Sequence, residues 1–89
     1  MPEQQNRIGV VGIVLEDPGS TLRLNEILHE HASIISGRMG IPQVRGRDVN
    51  VISLVVDGTT DDIGSLTGKL GTLPGVSVKS ALSKKTYPL

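Results

Sequence analysis

The sequence contains no cysteine, no phenylalanine and no tryptophan, and its single tyrosine, Tyr87, stands near the C-terminus. Lack of cysteine excludes disulfide staples, thiolate metal sites and cysteine nucleophiles; an unstapled domain of this size suits a reducing cytoplasm. Lack of aromatics removes the stacking platforms on which single-stranded nucleic acid is held. No apolar run approaches the ~18 residues that span a bilayer, and the opening MPEQQNR has no signal-peptide core. No membrane contact is therefore expected. Nine basic residues balance nine acidic ones, so no global field draws the chain to nucleic acid or to an anionic surface. Its basic residues are scattered, and the isolated chain is not expected to bind DNA or RNA at physiological salt.

What remains is a chain of 89 residues built on valine, isoleucine and leucine. That length fits one domain with a modest core, burying roughly 60–65% of the unfolded surface. The β-branched residues gather in short runs, which is strand chemistry. Residues 1–6 read as a short disordered arm. Residues 7–15 (RIGVVGIVL) read as a strand apolar on both faces, suited to the centre of a sheet. Asp17 and Pro18 then supply an N-cap and a first helical residue, predicting a helix to about His31. Leu24, Ile27, Leu28 and His31 share one helix face; Leu22 points roughly 160° away from it. Residues 34–42 (IISGRMGIP) predict a second strand, bulged or at an edge because of its glycines and Pro42. Residues 43–48 form a basic turn, and 49–57 (VNVISLVVD) the clearest strand.

Thr59-x-x-Asp62 resembles a capping box and opens a second helix with Ile63, Leu66 and Leu70 on one face. Gly64, Gly68 and Gly71 line one flank, each costing about 1 kcal/mol in a helix interior relative to alanine. Close approach of the helix to its own sheet or neighbouring helix is the expected compensation, with a subunit contact or the approach of a ligand as the alternative. Residues 73–75 (LPG) turn the chain into a last strand, 76–82, and 83–89 form a polar tail.

The order strand, helix, strand, strand, helix, strand defines an α+β, ferredoxin-like β-α-β-β-α-β domain over 7–82. Right-handed crossovers put the first and third strands at the centre of a four-stranded antiparallel sheet, with both helices on one face. The opposite face stays open although both central strands are apolar on both sides. That conflict predicts a homo-oligomer, dimer or tetramer.

Chemistry-bearing residues are few. Residues 17–20, with Asp17, Gly19 and Ser20, stand at a helix N-terminus able to meet a carboxylate. Arg38, Arg45 and Arg47 lie in or beside the second strand and its turn. They either pair their guanidinium groups on a carboxylate or phosphate, or keep the hairpin solvated. His29 and His31 are two apart, so on a continuous helix they point roughly 200° apart and share no metal; if the helix ends at His29 they converge. A divalent transition metal on these histidines is the alternative to a chain with no cofactor. Ser20, Thr21 and the histidines form no triad and no nucleophile elbow, so the chain is read as no enzyme.

The runs IGVVGIVLED, LNEILHEHASIISGRMGIP and NVISLVVDGTTDDIGSLTGKLGTLPGVSVKS resemble the family of iron-only hydrogenase system regulators, over residues 7–80. Residues 24–29, 38–42 and 63–71 carry it most specifically, and 73–76 resemble the turn before the last strand of ACT domains. The resemblance implies a fold similar to ACT domains and to the C-terminal domain of the nickel-responsive repressor. Those relatives bind amino acids or nickel at subunit interfaces and assemble as dimers or tetramers. The repressor's DNA-binding arm precedes its sensor domain; here only residues 1–6 stand in that place. The expected function is a cytoplasmic ligand-sensing module with a small, amino-acid-like effector at a subunit interface, acting through a regulatory partner protein. A histidine-based metal sensor and a ligand-free interaction scaffold are the alternatives.

Overall fold

The computed structural model describes residues 5–88. Five strands and two helices follow in the order β1 (Gln5–Leu15), α1 (Thr21–Glu30), β2 (Ile35–Ile41), β3 (Asn50–Gly58), α2 (Thr60–Gly71), β4 (Val76–Leu82) and β5 (Tyr87–Pro88). The strand order β2-β3-β1-β4 is antiparallel throughout and puts the first and third strands at the centre. Ile13 stands opposite Ile52 and Val11 opposite Leu54. These side chains meet Leu24, Ile27, Leu28, Ile63, Leu66 and Leu70 of the two helices in one buried cluster. The other face of the same strands carries Ile8, Val10, Val51 and Val55, all exposed.

Several boundaries differ from the sequence reading for identifiable reasons. Asp17 does cap, accepting from the Gly19 N–H at 2.9 Å, but the turn it caps is a 3-10 turn over Pro18–Ser20, and the α-helix starts at Thr21. Ile34 belongs to a 3-10 turn before β2, and the expected irregularity of that strand is a register shift between Ile35 and Gly37. Residues 43–48 turn through left-handed backbone at Gln43 and Arg45. Thr59 caps α2, its hydroxyl accepting from the Asp62 N–H at 3.1 Å.

Two segments read as irregular are paired instead. Gln5 and Asn6, assigned to a disordered arm, belong to β1; the rest of that arm lies outside the described residues. Tyr87 and Pro88, assigned to a polar tail, form β5 opposite Asn6 and Gln5. Ser83 makes the link possible: its N–H donates to the Ile8 carbonyl at 2.7 Å, and its hydroxyl accepts from the Ile8 N–H. The glycines of α2 bring a third correction. A Cβ added at Gly64, Gly68 or Gly71 meets nothing within 4 Å, so close approach within the chain does not explain them. They line an open groove beside β4.

Candidate functional site

β2 is an edge strand, and α1 crosses over it. The spacing of α1 buries Leu24, Ile27 and Leu28 against the sheet and leaves Thr21 and Asn25, one turn apart, on the flank that overlooks β2. Arg38 stands on β2 opposite Leu54, and therefore on the helix side of the sheet. Its guanidinium donates to the Asn25 side-chain oxygen at 3.4 Å. Among the described residues the ion pairs are Arg23 with Glu26 and with Glu30, so no carboxylate engages Arg38.

The Arg38–Asn25 contact divides the space between α1 and β2 in two. Toward the N-terminus of α1 lies a cleft of about 210 Å³, lined by Thr21, Leu24, Asn25, Arg38, Asn50 and Ile52 among others. Its mouth reaches Ile41 and Val51, which stand opposite each other on the far side of the sheet. Toward the C-terminus of α1, a second hollow runs past Leu28, His29, Ala32 and Ile35. The first cleft offers one cation, two amides and a hydroxyl over an aliphatic floor. Such a lining can hold a small anion with an apolar part.

Of the six residues singled out for an effector, Arg38 lines this cleft. Asp17, Gly19 and Ser20 do not. The Gly19 N–H is held by the Asp17 carboxylate, and the Ser20 N–H by the Asp17 carbonyl at 3.0 Å. The Ser20 hydroxyl is buried and donates to the Pro74 carbonyl at 2.7 Å. The loop is thus tied to the turn before β4, and these two N–H groups are engaged within it. Arg45 and Arg47 are exposed in the β2–β3 turn, at the same end of the sheet as the cleft mouth. Thr21, Asn25 and Asn50 escaped the sequence reading. The one signal for the helix pair was two polar residues a turn apart beside the apolar stripe.

α1 continues past His29 to Glu30, with His31 at its C-cap. The branch in which the helix ends at His29 is not realised. A His31 ring nitrogen lies 2.9 Å from the Ile27 carbonyl, while His29 is exposed at the second hollow. No cluster of three or more metal-ligating side chains occurs among the described residues. No described helix is long and apolar enough to cross a membrane.

Residues 7–80 match the family described as "Iron-only hydrogenase system regulator, putative", the TM1266-like proteins. The chain belongs to that family. The solved structure of the uncharacterized protein TM1266 from Thermotoga maritima is 40% identical and superposes with a TM-score of 0.81, over 89% of this chain and 99% of that one. Two more distant structures share the fold of this family member. The C-terminal domain of the MgtC protein from Mycobacterium tuberculosis is 15% identical, with a TM-score of 0.68 over 94% and 95% of the two chains. The ACT domain from GTP pyrophosphokinase of Chlorobium tepidum is 18% identical, with a TM-score of 0.64 over 90% and 89%. The ferredoxin-like, ACT-like architecture is thus established for this member of the family. No curated protein matches it significantly.

Proposed function

We propose that this regulator senses a small carboxylate of amino-acid size, bound in the α1–β2 cleft. The observation that carries the reading is Arg38: a guanidinium without an acidic partner among the described residues, set over a partly aliphatic cleft. The 210 Å³ of the cleft falls below the ~300–1,000 Å³ of pockets for drug-sized ligands, which favours an amino acid over a nucleotide. The cleft opens along β2, whose outer edge is unpaired among the described residues. A neighbouring subunit laid against that edge would close it. In this reading the chain performs no catalysis, works in a reducing cytoplasm, and acts through a partner protein rather than through direct DNA contact.

Thermal unfolding in the presence of single amino acids and short carboxylic acids tests the proposal. A ligand at a hundred times its Kd adds about 2.7 kcal/mol of stability. That corresponds to a Tm rise of roughly 11–20 °C for a domain this small. Arg38→Ala is expected to abolish the rise, and Arg38→Lys to keep part of it. A screen without any shift, or a shift that Arg38→Ala leaves intact, refutes the assignment. Zinc, nickel and copper salts in the same screen test the histidine alternative.

A further inference from the structure

We propose that the open face of the sheet is the contact surface between two copies of this chain. Alternation along the strands settles which side chains stand there. Val10 is flanked by Val55 and Ala81, Gly12 by Ser53 and Lys79, and Val14 by Val51 and Ser77. On β2, Met39 lies opposite Ser53 and Ile41 opposite Val51. Ile8 extends the patch at one end. Beyond it Tyr87, the chain's one aromatic, stands opposite Asn6. Met39 is 64% exposed, and Val10 and Val55 46% each.

Three properties of this face select a second copy as its occupant. The first is area. Ile8, Val10, Met39, Ile41, Val51 and Val55 leave roughly 500 Å² of contiguous apolar surface, the upper range for a monomer. Four strands about 4.8 Å apart and some seven residues long make a sheet face of roughly 19 by 24 Å. That plan area of roughly 450 Å² is more than half of the ~800 Å² per partner buried in a standard-size dimer. The second is charge. Within the four paired strands this face carries one acid, Asp57, and one base, Lys79. It has no net charge, so a copy does not repel a copy, whereas a nucleic acid or an anionic membrane finds no field. The third is shape. Gly12 and Ser53 make a low centre between two valine rows, and flat aliphatic sheets of this kind pack against one another about 10 Å apart. A two-fold arrangement satisfies both copies with one surface. Leu22, 74% exposed on α1, lies on the opposite side of the molecule and takes no part.

Sedimentation velocity of the full chain is expected to show a dimer at micromolar concentration. Val55→Glu buries an unpaired carboxylate in the contact and should weaken association at least about a hundredfold, with the far-ultraviolet circular dichroism unchanged. Leu22→Glu should sediment as the wild type does. Should Val55→Glu fail to fold, Ser53→Cys supplies a second readout, since it introduces the chain's only thiol. Its alkylation by a bulky maleimide is expected to slow as protein concentration rises. A wild-type monomer, a folded Val55→Glu variant that still dimerises, or an alkylation rate independent of concentration overturns the proposal.

Discussion

Gly64 and Gly68 lie inside α2, are exposed, and have open space where a side chain would stand. Replacing both with alanine is therefore a clean perturbation of the helix. Each glycine costs about 1 kcal/mol relative to alanine in a helix interior, through the backbone freedom it retains when unfolded. No clash opposes the change, because an added Cβ at either position meets no atom within 4 Å. The double variant should gain about 1.5–2 kcal/mol, the sum of two helix-propensity gains. For a domain this small that is a rise in Tm on the order of 8–10 °C. Urea unfolding should show a higher midpoint at unchanged slope, since the folded surface is the same. The comparison is to be made across a range of protein concentrations. Unchanged or lowered stability would refute the reasoning. It would mean that the groove between α2 and β4 is filled in solution by something the isolated chain does not supply.

Four further substitutions test local features of the backbone and its bonds. Gly75→Ala forces a side chain onto backbone at φ +70° and brings its Cβ within 2.7 Å of the Asp17 nitrogen; a loss above about 2 kcal/mol is expected. Gly46→Ala meets the same backbone demand at φ +81° in open space and should lose only about 1 kcal/mol, so equal losses in the two variants would count against the packing argument. Thr59→Ala removes the cap on the Asp62 N–H and should lower the urea midpoint by about 1 kcal/mol of stability. Ser20→Ala breaks the buried bond to Pro74 at about 1–2 kcal/mol; faster amide exchange at Glu16, whose N–H donates to the Gly75 carbonyl, is the local signature.

The fold was legible because its elements announce themselves with different periods. β3 carries alternating Ile52, Leu54 and Val56 toward the helices, and α2 repeats Ile63, Leu66 and Leu70 on one side. Local rules also located the Thr59 cap. The rules failed where a long-range bond decides. Nothing near Tyr87 in the sequence signals that Ser83 will bond back to Ile8 and carry the tail alongside β1. The α2 glycines misled for a related reason. Their cost is visible in the sequence, but which side of the helix faces the sheet depends on packing. The site was half legible. Arg38 stood out as a charge within a strand, whereas its contact with Asn25 joins α1 to β2 and has no local signature. Residues 17–20 looked like an anion cradle because a helix start does expose N–H groups. The Asp17 side chain and carbonyl, which accept from two of those groups, are themselves the reason the loop is ordered.

The cleft and the open face are not independent surfaces. Ile41 and Val51 line the mouth of the cleft and also form one corner of the apolar sheet face. Among the described residues β2 pairs on one side only, with β3, and its register slips between Ile35 and Gly37. It carries Arg38 on one face and Met39 and Ile41 on the other. If the proposed ligand draws Arg38 toward α1, it acts on the backbone that positions Met39 and Ile41 in the proposed contact between copies. Coupling of this kind is reciprocal: whatever assembly gains from the ligand, the ligand gains from assembly. In this fold the edge strand is where the two surfaces meet, and alternation of side chains across one strand supplies the connection.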